Sequence, residues 1–376
     1  MLVFAGLSSF SSPFSILARD GASAARRGSL QLAHADVETP SFMPVGTLGA
    51  VKGVSFDLLE TWDCRLLLAN TYHLMLRPGL EGVRRAGGLH AFMGWEGGIL
   101  TDSGGFQVMS LEKNRRVTEE GVEFRSHLDG DLFRLTPEHA MELQGAFGVD
   151  VAMCLDVCPG LPAQREEIEA AVERTSRWAQ RCRASYRGPG VLFGIVQGGP
   201  HEDLRARSAR QITGIDFSGY AVGGVAVGEP KEQIEAVTAY SASLLPADRP
   251  RYLMGVGTPA DLLRAVRAGF DLFDCVLPTR NGRMGHAYTA GGEIAIKNAR
   301  FARDFGPLDP ACGCPVCRRH SRAYVRHLFV LKDITAPVLL SVHNVFFFLG
   351  WMRKIREAIS SARLAELETP PEGKIA

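Results

Sequence analysis

The stretch YLMGVGTPADLLRAVRAGFDLFDCV, residues 252–276, predicts one complete strand–helix–strand unit. Apolar runs occupy its two ends, at Tyr252–Val256 and Leu272–Val276, and a helical pattern lies between them at Pro259–Ala268. A threonine–proline pair is a typical helix start, and the glycine after Ala268 is a typical helix stop. Strands that alternate with helices in this way form a parallel sheet.

The same alternation recurs along the chain. Helical patterns are also clear at Gln164–Ser185 and Pro230–Leu245. Eight strands alternating with helices predict an α/β fold of the closed (β/α)₈, or TIM-barrel, type. A length of 376 residues accommodates one such barrel and an appendage. The six other predicted strands are Phe42–Val45, Leu66–Ala69, Gly98–Leu100, Val149–Leu155, Val191–Val196 and Tyr220–Val227.

Polar residues close several predicted strands. Because the carboxyl ends of barrel strands surround one mouth, these scattered residues are expected to converge there. Any single one could be a helix N-cap, the commoner role of Asp or Asn after a strand. Polar residues at five strand ends on one rim, with a glycine pair at a sixth, favour a catalytic pocket instead. The residues are Asn70, Asp102 with Ser103, Asp156, Gln197, the Gly223–Gly224 pair and Asp274.

Two of these residues are carboxylates that suffice for substitution at a sugar carbon. In retaining glycosyl transfer one carboxylate attacks, while the other supplies and then recovers a proton. Asp102 and Asp274 are the candidates. Asp274 interrupts an apolar run, which is costly unless the group is compensated. The alternative reading makes Asp274 a structural ion-pair partner of Arg280 or Arg283.

The remaining rim residues suit recognition of a flat heterocycle. Asp156, Gln197 and the Gly224 backbone offer a mixture of hydrogen-bond donors and acceptors. Phe106 or Met254 could form a stacking wall, although both also fit ordinary core packing.

A cysteine cluster predicts a zinc site. Cys312, Cys314 and Cys317 place three thiols within six residues, and tetrahedral zinc needs a fourth ligand. Candidates for that ligand are His320, His327 and His343. His320 follows Cys317 so closely that a tetrahedral arrangement with it would be hard to form. A site with four protein ligands would be structural, because no position is left open for chemistry.

Composition bounds the partners and the compartment. The net charge of +1 does not mark a general nucleic-acid binder, yet residues 280–332 carry ten Lys or Arg against three Asp or Glu. This basic stretch could bind a phosphate backbone, or be a solvated surface. The eight cysteines and an N-terminus, Met1–Leu17, without a basic segment predict a reducing, cytoplasmic location, with neither signal peptide nor membrane span.

We expect three parts: residues 1–290 as the barrel with an N-terminal strand extension, residues 291–345 as an inserted C-terminal zinc-binding subdomain with a basic helix, and residues 346–376 as a C-terminal helix packing on the barrel, with a short tail. Gly255-x-Gly257-x-x-Ala260 formally matches a dinucleotide fingerprint. It lies in the seventh unit rather than in an initial βαβ unit, so no dinucleotide is expected.

The chain resembles the tRNA-guanine transglycosylases of bacterial type over about residues 14 to 360. The resemblance rests on many specific motifs rather than on one. They are residues 39–47, 69–74 with 77–79, 100–108, 126–130, 194–199, 223–229, 254–257 and 273–280, together with the cysteine cluster and 342–344.

This resemblance implies a TIM barrel with an inserted zinc subdomain, usually in a homodimer. Such enzymes exchange the wobble guanine of tRNAs with a G-U-N anticodon for a free 7-deazaguanine base, through a covalent ribosyl-aspartate. Asp274 matches the nucleophile and Asp102 the general acid/base. The zinc ligands would be Cys312, Cys314, Cys317 and His343.

The resemblance also implies two sets of contacts. Positions that match substrate contacts are Ser103, Phe106, Asp156, Gln197, Gly223, Gly224, Val225 and Met254. Positions that match contacts to the tRNA anticodon loop are Gly255, Val256, Gly257, Thr279, Arg280, Asn281, Gly282 and Arg283.

Several positions depart from the family pattern. Val157 stands where a glutamate is usual, Val225 replaces a leucine, and Met284 replaces an asparagine. Loss of a carboxylate weakens the expectation of a protonated aminomethyl substituent. Val227 and Cys158 nevertheless match bacterial enzymes. Small apolar changes shift discrimination by only ~1–3 kcal/mol, so 7-aminomethyl-7-deazaguanine is favoured and queuine stays open.

Two other functions compete with this reading. One is a non-catalytic tRNA-binding partner subunit of the same fold, against which the retention of both Asp102 and Asp274 argues. The other is a zinc-dependent barrel hydrolase, which would need metal ligands at the strand ends, where no His-x-His occurs.

Overall fold

A computed structural model describes residues 13–111 and 115–371. The first residues of Met1–Leu17 and the end of the expected tail therefore lie outside the described residues. The strands are β1 Phe14–Arg19, β2 Arg26–Gln31, β3 Asp36–Thr39, β4 Ser41–Pro44, β5 Leu66–Ala69, β6 Gly98–Thr101, β7 Arg116–Val117, β8 Val122–Arg125, β9 Leu132–Leu135, β10 Val151–Met153, β11 Val191–Val196, β12 Gly219–Val222, β13 Arg251–Leu253, β14 Leu272–Cys275, β15 His286–Thr289 and β16 Gly292–Ala295.

Helices connect most of these strands. They are α1 Phe56–Thr61, α2 Thr71–Leu76, α3 Leu80–Ala86, α4 Leu89–Met93, α5 Gly105–Leu111, α6 Pro137–Phe147, α7 Arg165–Ser185, α8 Glu202–Thr213, α9 Lys231–Ser243, α10 Pro259–Ala268, α11 Leu277–Arg283, α12 Pro315–Arg319, α13 Arg322–Val330 and α14 Thr335–Ser360, with short 3₁₀ turns at Ala299–Arg303 and Leu364–Glu366.

Eight parallel strands form the predicted barrel. Their order is β4-β14-β13-β12-β11-β10-β6-β5, and a parallel bridge between Val45 and Leu68 joins the two ends of this sheet. The Gly46 amide donates to the Leu68 carbonyl at 2.7 Å, which completes the closure. Every residue of β5, β6, β10, β12 and β13 is buried, because helices cover one face and the barrel interior the other.

The N-terminal extension is an antiparallel sheet of β1, β2 and β3 that leads directly into β4. A buried ion pair holds it to the barrel. The Arg26 guanidinium donates to both carboxylate oxygens of Asp271, at 2.9 Å and 2.6 Å, immediately before β14 begins.

A cluster of one carboxylate and two imidazoles lies at the amino ends of the barrel strands. The buried Asp150 carboxylate binds the rings of His34 and His90 at 2.9 Å and 3.0 Å, and also accepts the His34 and Ile99 amides. The two imidazoles stack with 3.8 Å between centroids, so they present parallel edges to the two carboxylate oxygens. These donors lower the pKa of Asp150, against a burial effect that raises it.

A small sheet of β7, β8 and β9 between α5 and α6 is absent from the sequence-based prediction. It packs beside α2, where the rings of Phe124 and His127 lie close to Tyr72.

Helix α14 joins the predicted metal-binding segment, around Cys312–Cys317, to the barrel. It contacts α11, α12, α13 and β15 as well as β1, β2 and β4. Trp351 donates to the Pro259 carbonyl at 2.9 Å, and Arg356 donates to the Pro40 carbonyl at 2.9 Å. Among the described helices, α14 alone has the length and apolar character of a membrane span. More than half of that apolar window is buried within the fold, as in a core helix.

The helix also crosses the expected boundary between residues 345 and 346. The three-part division of the chain therefore stays a prediction.

Candidate active site and metal centre

The polar residues predicted at the strand ends lie around one barrel mouth. Asn70 follows β5 and binds Asp102, which follows β6. Ser103 binds Asp156, beyond β10, and Asp156 in turn binds Gln197, directly after β11. Side-chain contacts therefore connect four consecutive strand ends, as the barrel requires.

Asp102 is a buried carboxyl group with many donors around it. Its Oδ1 accepts the Thr71 amide at 2.9 Å and the Gly104 amide at 3.2 Å, while its Oδ2 accepts the Asn70 side chain. Burial raises the pKa of Asp102 to about 6, and the hydrogen bonds from Asn70, Thr71 and Gly104 limit that rise. A carboxyl group with this pKa can both give and take a proton near neutrality.

Asp274 is partly accessible at the mouth, unlike its buried neighbours on β14. Its Oδ1 accepts the Tyr252 hydroxyl at 2.6 Å and the Gly255 amide at 2.8 Å. Burial raises the pKa of Asp274, and these two donors oppose the rise. In the described part of the chain neither Arg280 nor Arg283 forms an ion pair with Asp274. The structural ion-pair alternative is therefore wrong.

The buried hydroxyl of Tyr252 is influenced by both carboxylates, Asp274 and Asp102. It is fully buried on β13 and donates to Asp274, and the charges of Asp274 and Asp102 both act to raise its pKa, after burial. The sequence does not distinguish this residue, because a tyrosine inside an apolar strand is typical of a core residue. No pattern in the sequence indicates the phenol's partner.

The predicted heterocycle-binding residues form one hydrogen-bonded set. The Asp156 carboxylate accepts Ser103 Oγ at 3.1 Å and Gln197 Nε2 at 2.7 Å, and burial raises the pKa of Asp156. Glycines follow at the end of β12 because a Cβ on Gly223 or Gly224 would approach the Gln197 amide to 2.6 Å and 2.5 Å. Gly224 also has a φ of +62°, which favours glycine.

The candidate stacking residues differ in exposure. Phe106 is 45% exposed and Met254 is half-buried, so Phe106 is not a core residue. Val225 is buried beside the glycine pair. Val157 is also buried, and its amide donates to Thr175 Oγ1 on α7 at 3.0 Å.

The predicted RNA-contacting residues divide into two groups. Gly255 is exposed and its amide donates to Asp274, while Arg280 and Arg283 are exposed on α11, which follows β14. Asn281 is half-buried and donates to the Tyr288 hydroxyl at 2.7 Å. The others are buried, and two of them are glycines for packing reasons: a Cβ on Gly257 would reach Cys275 Sγ and one on Gly282 the Ser341 backbone. The buried residues are Val256, Gly257, Thr279 and Gly282.

The cysteine cluster meets one histidine, His343, on α14. Sulfur atoms of Cys312, Cys314 and Cys317 lie 3.7, 3.5 and 3.3 Å from His343 Nδ1. All four ligand atoms lie within 4.8 Å of one another. Zinc with tetrahedral bonds of about 2.3 Å to sulfur and about 2.0 Å to nitrogen would place the two about 3.5 Å apart. The donor set therefore fits zinc in type, number and spacing.

Neighbouring groups prepare this site for a cation. His343 Nε2 lies 2.7 Å from the Tyr288 carbonyl, which fixes the proton on Nε2 and leaves Nδ1 free to bind metal. Hydrogen bonds from the Cys312 and Cys317 thiols lower the pKa of Cys314 well below its ordinary value. Of the other candidate ligands, His320 stacks instead on Tyr324, 5.1 Å between centroids.

Comparison with known proteins identifies the family. A family model described as "Queuine tRNA-ribosyltransferase" matches residues 20–370. Proteins of that name from Geobacillus kaustophilus (strain HTA426) and Anoxybacillus flavithermus (strain DSM 21510 / WK1) are 54% and 53% identical to this chain over 344 residues. The alignments cover 91% of this chain and 90% and 91% of the relatives. The fold and these matches confirm the predicted resemblance, and the chain belongs to the queuine tRNA-ribosyltransferase family.

Proposed function

We propose that this chain exchanges the wobble guanine of tRNAs with a G-U-N anticodon for a 7-deazaguanine, by double displacement through a ribosyl-aspartate. Its family is one of pentosyl-transferring enzymes. The observation that carries the proposal is the pair of mouth carboxyl groups, Asp102 and Asp274, held in different environments. Such a division between two carboxyl groups is how one site performs both nucleophilic and acid–base chemistry.

Asp274 would be the nucleophile. Both of its hydrogen bonds within the described residues go to Oδ1, so Oδ2 is available for attack. In the first step Oδ2 bonds to the anomeric carbon of the flipped-out nucleotide as the bond from that carbon to guanine breaks. The electron pair of the broken bond stays with guanine.

Asp102 would transfer the protons. With a pKa of about 6, it is protonated in about a tenth of molecules at pH 7, and this fraction can protonate the departing guanine. The resulting carboxylate then takes a proton from the incoming base, whose nitrogen attacks the ribosyl-aspartate. Two displacements at one carbon give retention of configuration.

The base would lie between Phe106 and the Asp156 set. Asp156 and Gln197 offer acceptors and donors next to one another, and the exposed Phe106 ring can cover the base. Of the two candidate incoming bases, 7-aminomethyl-7-deazaguanine is favoured over queuine. Val157 is buried, and its amide is bonded to Thr175 on α7. Glu229 holds the Ala226 and Val227 amides close by and supplies an anionic group for a protonated substituent.

The zinc ion would be structural. Cys312, Cys314, Cys317 and His343 would hold it, and four protein ligands leave no open coordination position. When bound, the ion would cross-link the loop before α12 to α14 and so stabilise the segment that follows the active site.

The anticodon loop would bind beside Asp274. Arg280 and Arg283 are exposed there, and phosphate contacts by such side chains make binding weaken as salt rises. Apolar residues exposed on and after α13, including Val330, Leu331 and Ile334, support a homodimer interface near the metal-binding segment. The cytoplasm, where tRNA is found, is the proposed location.

The test is exchange of radiolabelled guanine, 7-aminomethyl-7-deazaguanine and queuine into a guanine-containing tRNA with a G-U-N anticodon. A denaturing gel should show a covalent tRNA adduct that is lost in Asp274→Asn. Wild-type protein that binds this tRNA but exchanges no base would contradict the proposal and favour a non-catalytic tRNA-binding subunit.

A further inference from the structure

A buried arginine lies directly behind the loop that would read the base. Arg205, on α8, is fully buried. Among the described residues, its guanidinium donates only to main-chain carbonyls, at the ends of β11 and β12. The acceptors are Gly199 at 2.9 Å, Val196 at 3.2 Å, Gly223 at 2.7 Å and Gly224 at 2.8 Å.

Neutral donors could tie these strand ends together at a smaller desolvation cost than a charge. In the described part of the chain no carboxylate forms an ion pair with Arg205; main-chain carbonyls accept its hydrogen bonds, and the charge of Glu229 attracts it from beyond ion-pair contact. Removing such a cation from water is costly. Burial lowers the pKa of Arg205 to about 10, which still leaves it charged at neutral pH. Because Arg205 stays charged despite this cost, its charge is expected to act on a neighbouring group.

One hydrogen bond of Arg205, to the Gly223 carbonyl, affects a peptide N–H at the candidate site. The Gly223 carbonyl belongs to the same peptide unit as the Gly224 amide. A charged donor on that carbonyl polarises the unit and makes its N–H a stronger donor. The Gly224 backbone and the Gln197 side chain both hydrogen-bond with the Cys158 thiol, and Gln197 also donates to Asp156. The Gly224 amide is therefore next to the residues proposed to read the base.

The geometry points to Arg205 as a positioning residue that polarises the Gly224 amide for the exocyclic oxygen of the departing guanine. This inference rests on the proposed function. As the bond from the anomeric carbon to guanine breaks, its electron pair moves onto the base and the charge spreads to that oxygen. A polarised amide stabilises this oxygen more strongly as charge develops than in bound substrate, which accelerates the step. Arg205 itself does not touch the base.

The test compares guanine with 6-thioguanine, which differs only in having sulfur, a poor acceptor, in place of the exocyclic oxygen. Wild type, Arg205→Met and Arg205→Lys are assayed for guanine exchange, and each free base is measured as an inhibitor. We expect kcat to fall about 10- to 100-fold in Arg205→Met with KM for tRNA nearly unchanged, below the ~100- to 1,000-fold effect of removing a direct donor. The preference for guanine over 6-thioguanine should fall about tenfold in the same variant.

Arg207→Met is the matched control. Arg207 lies on the same helix, but it is more exposed and pairs with Glu169, so its loss should change neither kcat nor the base preference. Arg205→Lys retains the charge with fewer donors and should restore part of the preference, and it replaces Arg205→Met if that variant does not fold. Equal losses for both bases, with wild type active, would overturn this inference alone. An inactive wild type would overturn the proposed function and this inference with it.

Discussion

Replacing Tyr252 by Phe tests the environment of the proposed nucleophile. The change removes the hydroxyl that donates to Asp274 Oδ1 at 2.6 Å and leaves the Gly255 amide at 2.8 Å as the remaining donor. It removes no other described hydrogen bond of this side chain. The ring stays in place, so the fold should be little affected.

The magnitude follows from the type of bond. A hydrogen bond to a charged group is worth about 1.5–3 kcal/mol, and one pKa unit corresponds to about 1.4 kcal/mol. The hydroxyl lowers the pKa of Asp274, so its loss raises that pKa further above the ordinary value. The ionised nucleophile should therefore be lost at a pH about one to two units higher than in wild type.

The assay is the pH dependence of kcat/KM for guanine exchange, whose acid limb reports ionisations of the free enzyme. Tyr220→Phe is the control, because its hydroxyl lies on the neighbouring strand and contacts the Thr213 carbonyl instead. An acid limb at the same pH in Tyr252→Phe and wild type would refute the assignment of this limb to Asp274. A limb that also moved in Tyr220→Phe would show a general effect of lost buried hydroxyls.

Three further predictions concern the proposed proton donor Asp102, the metal ligands, and Asp150 at the amino ends of the barrel strands. Asp102→Asn should lower kcat for guanine exchange by ~100- to 10,000-fold with tRNA binding retained in a filter assay, and unchanged kcat would exclude Asp102 as the proton donor. Elemental analysis should find one zinc per chain, lost in Cys314→Ser but kept in His320→Ala; equal zinc in both variants would contradict the ligand set. Asp150→Asn should lower the free energy of unfolding by about 2–3 kcal/mol at pH 7, measured with urea, because donors lose their acceptor. The pKa of Asp150 is lowered in the fold, so its contribution is present above about pH 4 and lost as pH falls through the folded pKa; a variant less stable than wild type by the same amount at pH 3 would contradict this.

The barrel was predictable because its strands are buried on both faces. Leu66–Ala69, Val191–Val196 and the helix Pro259–Ala268 begin and end where the sequence predicts. The run Tyr220–Val227 was predicted too long. The strand ends at Val222, because the glycine pair leaves the sheet and Gly224 takes a positive φ. Apolar composition alone does not mark this turn.

What the sequence did not indicate depends on contacts between distant residues. Strands β7 to β9 are short and carry charged residues, so they lack the continuous apolar pattern of the barrel. Arg205 occurs in a helix with two other arginines, the half-buried Arg207 and the exposed Arg210, and only the fold shows that Arg205 is buried. Conversely, the sequence leaves His320, His327 and His343 open as the fourth zinc ligand and the family resemblance favours His343; the fold confirms its place among the three sulfurs.

The continuity of α14 has a consequence for protein engineering. Residues near its start include the metal-binding histidine and Asn344, whose side chain holds the carbonyls of Pro278 and His286, while its far end reaches Pro40 at the opposite side of the barrel. The metal-binding segment is therefore not a transplantable cassette. A deletion or a graft that cuts near residue 345 would remove support from α11, the helix that directly follows the strand bearing Asp274. Designers who wish to exchange this segment between relatives should carry the whole helix with it.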